Sequence, residues 1–282
     1  MIRLAGRTRT IVLILLALLV LGLAWFYRFY FSSTDIAIRH AEAFLFRRMS
    51  VAQLSEQGMY RFFYVSNREP LRADGRIHER FGPARQDSLN FGRFDAQIQP
   101  SLGLGMLINP TEWFQNEEIR FADVSSLSRD DLVAQLRESV GRSPHRGLLI
   151  VVHGYREAYE SALRKTAFLG HVLDINAPVL LFDWPGNQGS SLRGYRRAHA
   201  VAGASGAELA ATLQLVVEEV EPERLWLVAN SMGGQVVVHA MDILYQDAQF
   251  ADTGPRIEHI VLTAPDVSQE KFDNLFRDKL LA

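Results

Sequence analysis

Hydrophobic and polar positions divide the chain into three stretches. Ile11 to Tyr27 is an unbroken apolar run of 17 residues without a charge. A bilayer core takes roughly 17–25 such residues, so the run is just long enough to span as a helix. Asp35–Gln57 then carries apolar residues at Ile36, Ile38, Ala41, Phe44, Leu45, Met49, Val51 and Leu54. That spacing predicts an amphipathic helix, a stalk or a cover whose role is packing. Strand candidates follow at Arg61–Val65, Leu89–Gln97 and Ile119–Val124, and the polar, Arg- and Gly-rich stretch Asn67–Gln86 reads as a surface loop.

From residue 147 the pattern changes. Leu148–Val152, Val179–Phe182, Leu225–Ala229 and Ile260–Ala264 are short continuous apolar runs, which suit parallel strands covered on both faces. Helical stretches lie between them at Arg156–Leu169, Ser191–Val220 and Met232–Gln246. Strand–helix–strand repetition predicts right-handed crossovers and an α/β fold with a doubly wound, mostly parallel sheet, whose sites form at the carboxyl ends of strands. The expected division is an anchor over 1–32, a helical linker over 33–59 and one α/β domain over 60–282.

Composition changes the picture in three ways. A formal net charge of -2 excludes the strongly basic balance of a nucleic-acid binder. The absence of cysteine excludes disulfides, thiolate catalysis and cysteine-ligated metal. Arg3, Arg7 and Arg9 precede the apolar run, and Trp25, Phe26, Tyr27, Phe29, Tyr30 and Phe31 cluster at its far end. Charge and aromatic placement together predict a cytoplasmic N-terminus and an extracytoplasmic, periplasmic domain on a single-pass anchor. A cleaved signal peptide, with Gly22-Leu23-Ala24 as its cleavage site, is the alternative, and it exports the domain equally.

Chemistry gathers at the strand ends. After Leu225–Ala229 comes Asn230-Ser231-Met232-Gly233-Gly234 and then a helix. This is a small-x-Ser-x-Gly nucleophile elbow, in which a sharp strand-to-helix turn needs small residues on both sides of the serine. Ala229 stands where Gly is usual, whereas Gly233 meets the requirement fully. The turn would present the Ser231 hydroxyl at a helix N-terminus, where amide dipoles favour negative charge. His153-Gly154-Tyr155 follows Leu148–Val152. In such a fold its loop supplies one oxyanion donor and the residue after the nucleophile supplies the other, which assigns the backbone N–H groups of Tyr155 and Met232. Gly154 would let the loop come close, and His153 reads as a brace for the loop rather than a base.

Asp266, in Ala264-Pro265-Asp266-Val267, is the candidate acid, since a carboxylate after the nucleophile fits the order Ser…Asp…His. It could equally cap a helix over Ser268–Leu281. Asp183 ends a strand before the nucleophile and reads as pocket wall or structural. The histidines are 40, 78, 145, 153, 171, 199, 239 and 259, and none follows Asp266. The triad therefore cannot be completed from these residues in the expected way.

The sequence resembles the bacterial α/β-hydrolases of domain-of-unknown-function family 900. The resemblance rests on Phe63-Tyr64-Val65-Ser66-Asn67-Arg68, Leu89-Asn90-Phe91-Gly92, Val151-Val152-His153-Gly154-Tyr155, Trp184-Pro185, Asn230-Ser231-Met232-Gly233 and Ala264-Pro265-Asp266-Val267, with Asn230 where a His is common. It implies an α/β-hydrolase fold and an esterase- or lipase-like serine hydrolase. It also implies that members continue past the position of Ala282, with another Asp and a Gly-His pair. The sheet expected here thus lacks its C-terminal strands.

These readings together predict a membrane-anchored serine hydrolase acting on a small-molecule or lipid ester. Ser231 is the expected nucleophile, Asp266 the acid, and Tyr155 and Met232 the oxyanion hole, supported by His153, Gly154 and Gly233; the base would be a His beyond residue 282. No metal or organic cofactor and no nucleic-acid partner is expected. An apolar cover would come from Ala198–Val217 or from around Trp113 and Phe114. A non-catalytic hydrolase-fold protein serving envelope binding or scaffolding, and a fragment or frameshifted product, are the alternatives.

Overall fold

A computed structural model describes residues 6–27, 49–55, 58–72, 74–98, 119–246 and 257–274. Its centre is a mixed sheet of eight strands: β1 (Gln53–Ser55), β2 (Met59–Pro70), β3 (Phe81–Ile98), β4 (Ile119–Leu127), β5 (Gly147–Val152), β6 (Val179–Asp183), β7 (Arg224–Asn230) and β8 (Ile257–Thr263). Strands run in the order β4-β3-β2-β6-β5-β7-β8, with β1 added to β2. The β1–β2, β2–β3 and β3–β4 pairs are antiparallel, while β2–β6, β6–β5, β5–β7 and β7–β8 are parallel.

Helices cover the two faces unequally. One face carries α2 (Arg129–Arg142), α4 (Leu192–Ala204), α5 (Gly206–Leu215) and α6 (Gly233–Gln246), packed on one side of the central strands through Leu136, Ile150, Leu213, Leu227 and Val237. The other carries α3 (Tyr159–Leu173), which sets Leu163 and Ala167 against Leu149, Val151 and Leu181. Both cores draw on β5 and β6, whose every residue is buried. Strands covered on both faces need this continuous apolar run. The chain leaves β5 through α3 toward β6, returns past β5 to β7, and moves on through α6 to β8. The reversal between β5 and β7 opens a crevice at their carboxyl ends.

The structure corrects several expectations. The surface loop expected over Asn67–Gln86 is confined to the connection after Pro70: β2 runs to Pro70, β3 starts at Phe81, and Asn67 and Arg68, like Ser66 before them, are buried. Polarity at Ser66–Arg68 marks an internal network, because these side chains pair with Asp183, Ser205 and Glu208 instead of with water. The sheet is mixed instead of mostly parallel, since β1–β4 form an antiparallel meander on its flank. The helix expected over Asp35–Gln57 falls mostly outside the described residues. Its described part is a 3-10 turn, Met49–Val51, and the strand β1, held by pairing with β2. The long helix over Ser191–Val220 is interrupted at Ser205 and ends in a π turn, Val216–Val220. β8 starts at Ile257 and leaves Val261 47% exposed, as an edge strand does. Helix α2 went unread among its charges, although Ser128 caps it by accepting from the Asp131 N–H.

Residues Gly6–Tyr27 form a separate helix, α1, whose leucines 13, 15, 16, 18, 19, 21 and 23 are each more than half exposed. Its apolar stretch, Leu13–Ala24, is short. Leu192–Val220 is longer and also apolar, but more than half of it is buried in the domain core. Trp113 and Phe114, expected as part of an apolar cover, lie outside the described residues.

Candidate functional site

Strand register builds the site. β5 and β7 pair in parallel up to Val152 opposite Ala229, so the next residues set His153 beside Asn230 and Gly154 beside Ser231. On the other side of β5, Val152 pairs with Phe182, which brings Asp183 alongside His153. Asn230 pairs with Thr263 on β8, and the chain beyond Thr263 reaches Asp266. Ser231 sits at the tip of the strand-to-helix turn with φ +51°, in the left-handed region. A non-glycine residue is held there only when its surroundings over-determine it.

Three backbone bonds do so. The Ser231 N–H donates to the Thr263 carbonyl at 2.9 Å, and the Ser231 carbonyl accepts from the N–H groups of Gly234 (3.0 Å) and Asp266 (3.1 Å). Close approach demands the flanking glycines. A Cβ on Gly233 would stand 2.6 Å from the His153 carbonyl oxygen and 2.8 Å from that of Val152; one on Gly154 would stand 3.2 Å from Ser231 Cβ. Ser231 is half-buried. Among the described residues its Oγ has no hydrogen-bond partner, and the backbone N–H groups of Tyr155 and Met232 donate to no acceptor.

Asp266 is tied to the same turn. Its carbonyl accepts from Gln235 Nε2 at 2.6 Å, and Gln235 Oε1 accepts in turn from Lys271 Nζ at 2.7 Å. Its carboxylate Oδ2 accepts from the Tyr195 hydroxyl at 2.7 Å. That bond raises the Tyr195 hydroxyl above the usual tyrosine range, because ionising it would set two negative charges together. The cap of the helix that follows (α7, Gln269–Phe272) is Ser268, whose Oγ accepts from the Lys271 N–H; Asp266 is therefore free of the capping alternative.

His153 belongs to a buried brace. Its Nε2 lies 3.0 Å from Asp183 Oδ1 and its Nδ1 lies 2.9 Å from the Gly154 carbonyl oxygen, while the ring stacks on Trp184. Asp183, fully buried, also accepts from Ser66 Oγ at 2.7 Å and from Arg68 Nε at 2.8 and 2.9 Å. Arg68 Nη2 continues to the carbonyl oxygens of Glu157 and Trp184. Burial alone would raise the Asp183 carboxyl, but the Arg68 charge, with His153 and Ser66, outweighs it and holds the group below the usual aspartate range. Sequence reading missed Arg68. The signal was a Ser-Asn-Arg triplet running straight on from the apolar Phe62–Val65.

The other described histidines stand apart from Ser231. His239 packs against Gly203 and Gly206 at the α4–α5 junction, and burial first, then Lys271 and His199, lower its pKa against the opposing pull of Asp242. His171 lies beside Tyr60 with its pKa lowered by burial. His259 is exposed on β8. His199 sits one helical turn beyond Tyr195, with ring centroids 6.4 Å apart. Among the described residues no histidine hydrogen-bonds Ser231 or the Asp266 carboxylate, and no group of three or more His, Asp or Glu side chains could hold a metal. A cavity of about 120 Å³ lies at the opposite end of the sheet, between Arg61 and Pro178, and a groove of about 400 Å³ runs along β3 and β4. Neither is lined by Ser231.

A family profile described as alpha/beta hydrolase of unknown function (DUF900) matches residues 128–280 of the 282. The chain belongs to this family. The matched stretch starts at Ser128 and holds Tyr155, Asp183, Ser231 and Asp266, whereas β1–β4 precede it. No curated protein and no solved structure matches the chain.

Proposed function

We propose that this α/β-hydrolase family member is a serine hydrolase of carboxylic esters or related acyl substrates. Ser231 Oγ attacks the carbonyl carbon, the N–H groups of Tyr155 and Met232 receive the oxyanion, and Asp266 orients and stabilises the group that takes the serine proton. The observation that carries the reading is Ser231 itself: a serine in the left-handed region, at the tip of a strand-to-helix turn, near two N–H groups that have no acceptor among the described residues. Strained backbone of this kind concentrates at functional sites. We propose further that α1 anchors the chain in a membrane with the domain on the extracytoplasmic side, a reading supported by its exposed leucines and by the arginines that precede them.

A second reading, a catalytically inactive hydrolase-fold protein of the envelope, draws on the Asp266 carboxylate being engaged by Tyr195 instead of by a histidine. Fluorophosphonate labelling of the full chain in neutral detergent separates the two. Labelling that disappears in Ser231→Ala is the expected result, and it requires the base to lie within this chain. A folded wild type that stays unlabelled would overturn the hydrolase reading in favour of the binding protein.

A further inference from the structure

Four strand ends stand side by side around Ser231. In the sheet order β6-β5-β7-β8, Gly189 lies in the chain after β6, Tyr155 after β5, Ser231 after β7 and Asp266 after β8. Tyr155 donates from its hydroxyl to the Gly189 carbonyl, and its ring meets that of Tyr195 edge to face with centroids 5.6 Å apart. Tyr195 in turn donates to Asp266 Oδ2 at 2.7 Å. These contacts run without a break from the loop after β6 to the loop after β8, across the end of β7. The first turn of α4 is seated on the same row. A Cβ on Gly194 would stand 2.5 Å from the carbonyl oxygens of Gln188 and Gly189, and Ser191 caps the helix by accepting from the Gly194 N–H. That seat fixes where Tyr195 leaves the helix, and the Tyr155 ring keeps its hydroxyl aimed at Asp266.

Asp266 is held in two separate ways. Its backbone is tied to the elbow, the N–H to the Ser231 carbonyl at 3.1 Å and the carbonyl to Gln235 Nε2 at 2.6 Å. Its half-buried carboxylate has one hydrogen bond among the described residues, the one from Tyr195. Without it the side chain could exchange between its staggered rotamers. A carboxylate accepts through two oxygens, and Tyr195 takes Oδ2 alone. Oδ1 accepts from no described residue and stays open to the group that takes the serine proton. The Tyr195 bond therefore fixes the acid without blocking it.

We propose that Tyr195 is a positioning residue of this site, whose hydroxyl holds the Asp266 carboxylate in place beside the Ser231 turn. The proposal rests on the hydrolase reading and adds to it the side chain that sets the acid. Misplacing a reacting group by about 1 Å can cost 10²-fold in rate, so removing the hydroxyl alone, at a half-exposed position that water can reach, should cost about ten-fold.

The test titrates the full chain, in neutral detergent, with a fluorophosphonate. Varying the probe separates the labelling rate constant at saturation from the concentration that gives half of it. Tyr195→Phe keeps the ring. It should lower the saturating rate constant about ten-fold and leave the half-saturating concentration within about two-fold of wild type. In an Asp266→Ala background, followed over hours, the same substitution should change the rate less than about two-fold, because its route to Ser231 is gone. A Tyr195 that only supports the fold would lose as much in either background. Tyr195→Phe labelling as fast as wild type, a loss confined to the half-saturating concentration, or equal losses with and without Asp266 would each overturn the proposal. An unlabelled wild type sinks the hydrolase reading and this one with it. A labelled wild type indifferent to Tyr195→Phe sinks this one alone.

Discussion

Arg68→Met tests the brace beneath the crevice. In the folded protein Arg68 makes two bonds from Nε to the Asp183 carboxylate and two from Nη2 to the carbonyl oxygens of Glu157 and Trp184, all out of contact with water. Methionine fills much of the same volume but leaves the Asp183 charge with only His153 and Ser66. Removing one partner of a buried ion pair costs about 3–5 kcal/mol. The two orphaned carbonyls push the cost to the upper part of that range. On a total stability of about 5–15 kcal/mol this is a large share. At about 2–4 °C per kcal/mol, thermal unfolding in neutral detergent should fall by about 8–20 °C. The double variant Arg68→Met/Asp183→Asn should recover part of the loss, because the uncompensated charge is gone.

The pH dependence has a definite sign. The Asp183 carboxyl is held below its ordinary range in the folded state, so its contribution is present above the unfolded-state value and disappears as pH falls through the folded-state value. The gap between wild type and Arg68→Met should therefore narrow on acidification below the ordinary aspartate range. A loss under about 1 kcal/mol, a gap that stays constant with pH, or a double variant as unstable as the summed single variants would refute the reasoning.

Three further outcomes follow from the turn and its neighbours. Gly233→Ala should cost about 1–3 kcal/mol and abolish fluorophosphonate labelling, since the new methyl meets two backbone oxygens inside 3 Å, whereas Gly141→Ala on exposed α2 meets nothing and should raise stability by about 0.5–1 kcal/mol in the same denaturant titration. Ser231→Gly should stabilise the fold by about 0.5–1 kcal/mol, because glycine adopts φ +51° without strain; a destabilised variant in thermal unfolding would show that the serine side chain has a structural partner. Tyr195→Phe should cost at most about 1 kcal/mol near neutral pH, and, because the Tyr195 hydroxyl is held above its ordinary range, that difference should vanish as pH rises through the folded-state value; an alkaline unfolding series reads it.

The sequence disclosed the parallel half of the sheet because β5 and β6 bury both faces, and β7 buries one and half-buries the other, so that all three read as unbroken apolar runs. The elbow was legible for a related reason: small residues around Ser231 are dictated by backbone packing, here the carbonyls of Val152 and His153 pressed against Gly233. Such constraints are local and leave a mark in the residues themselves. The antiparallel flank left a weaker mark. β2 is buried without a break from Phe62 to Arg68, yet the last three of those residues are the polar Ser66-Asn67-Arg68, whose partners are 115 to 141 residues away in Asp183, Ser205 and Glu208. No local pattern distinguishes a buried polar triplet of that kind from a loop.

The misread triplet is part of the site's foundation. Ser66 pairs with Asp183 across β2 and β6, Asp183 meets His153, and His153 precedes the Gly154 that packs on Ser231. One row of strand ends therefore runs from the antiparallel flank to the elbow, and charge in its middle fixes the height of the His153-Gly154-Tyr155 loop. On the proposed reaction, the Tyr155 N–H would reach an oxyanion at Ser231 only while Gly154 stays in contact with the turn. Loosening Arg68 should then slow Ser231 labelling in molecules that remain folded, whereas an equally destabilising change away from this row, such as Leu136→Ala on the buried face of α2, should not. Equal labelling rates in the two variants at matched folded fraction would separate the brace from the chemistry.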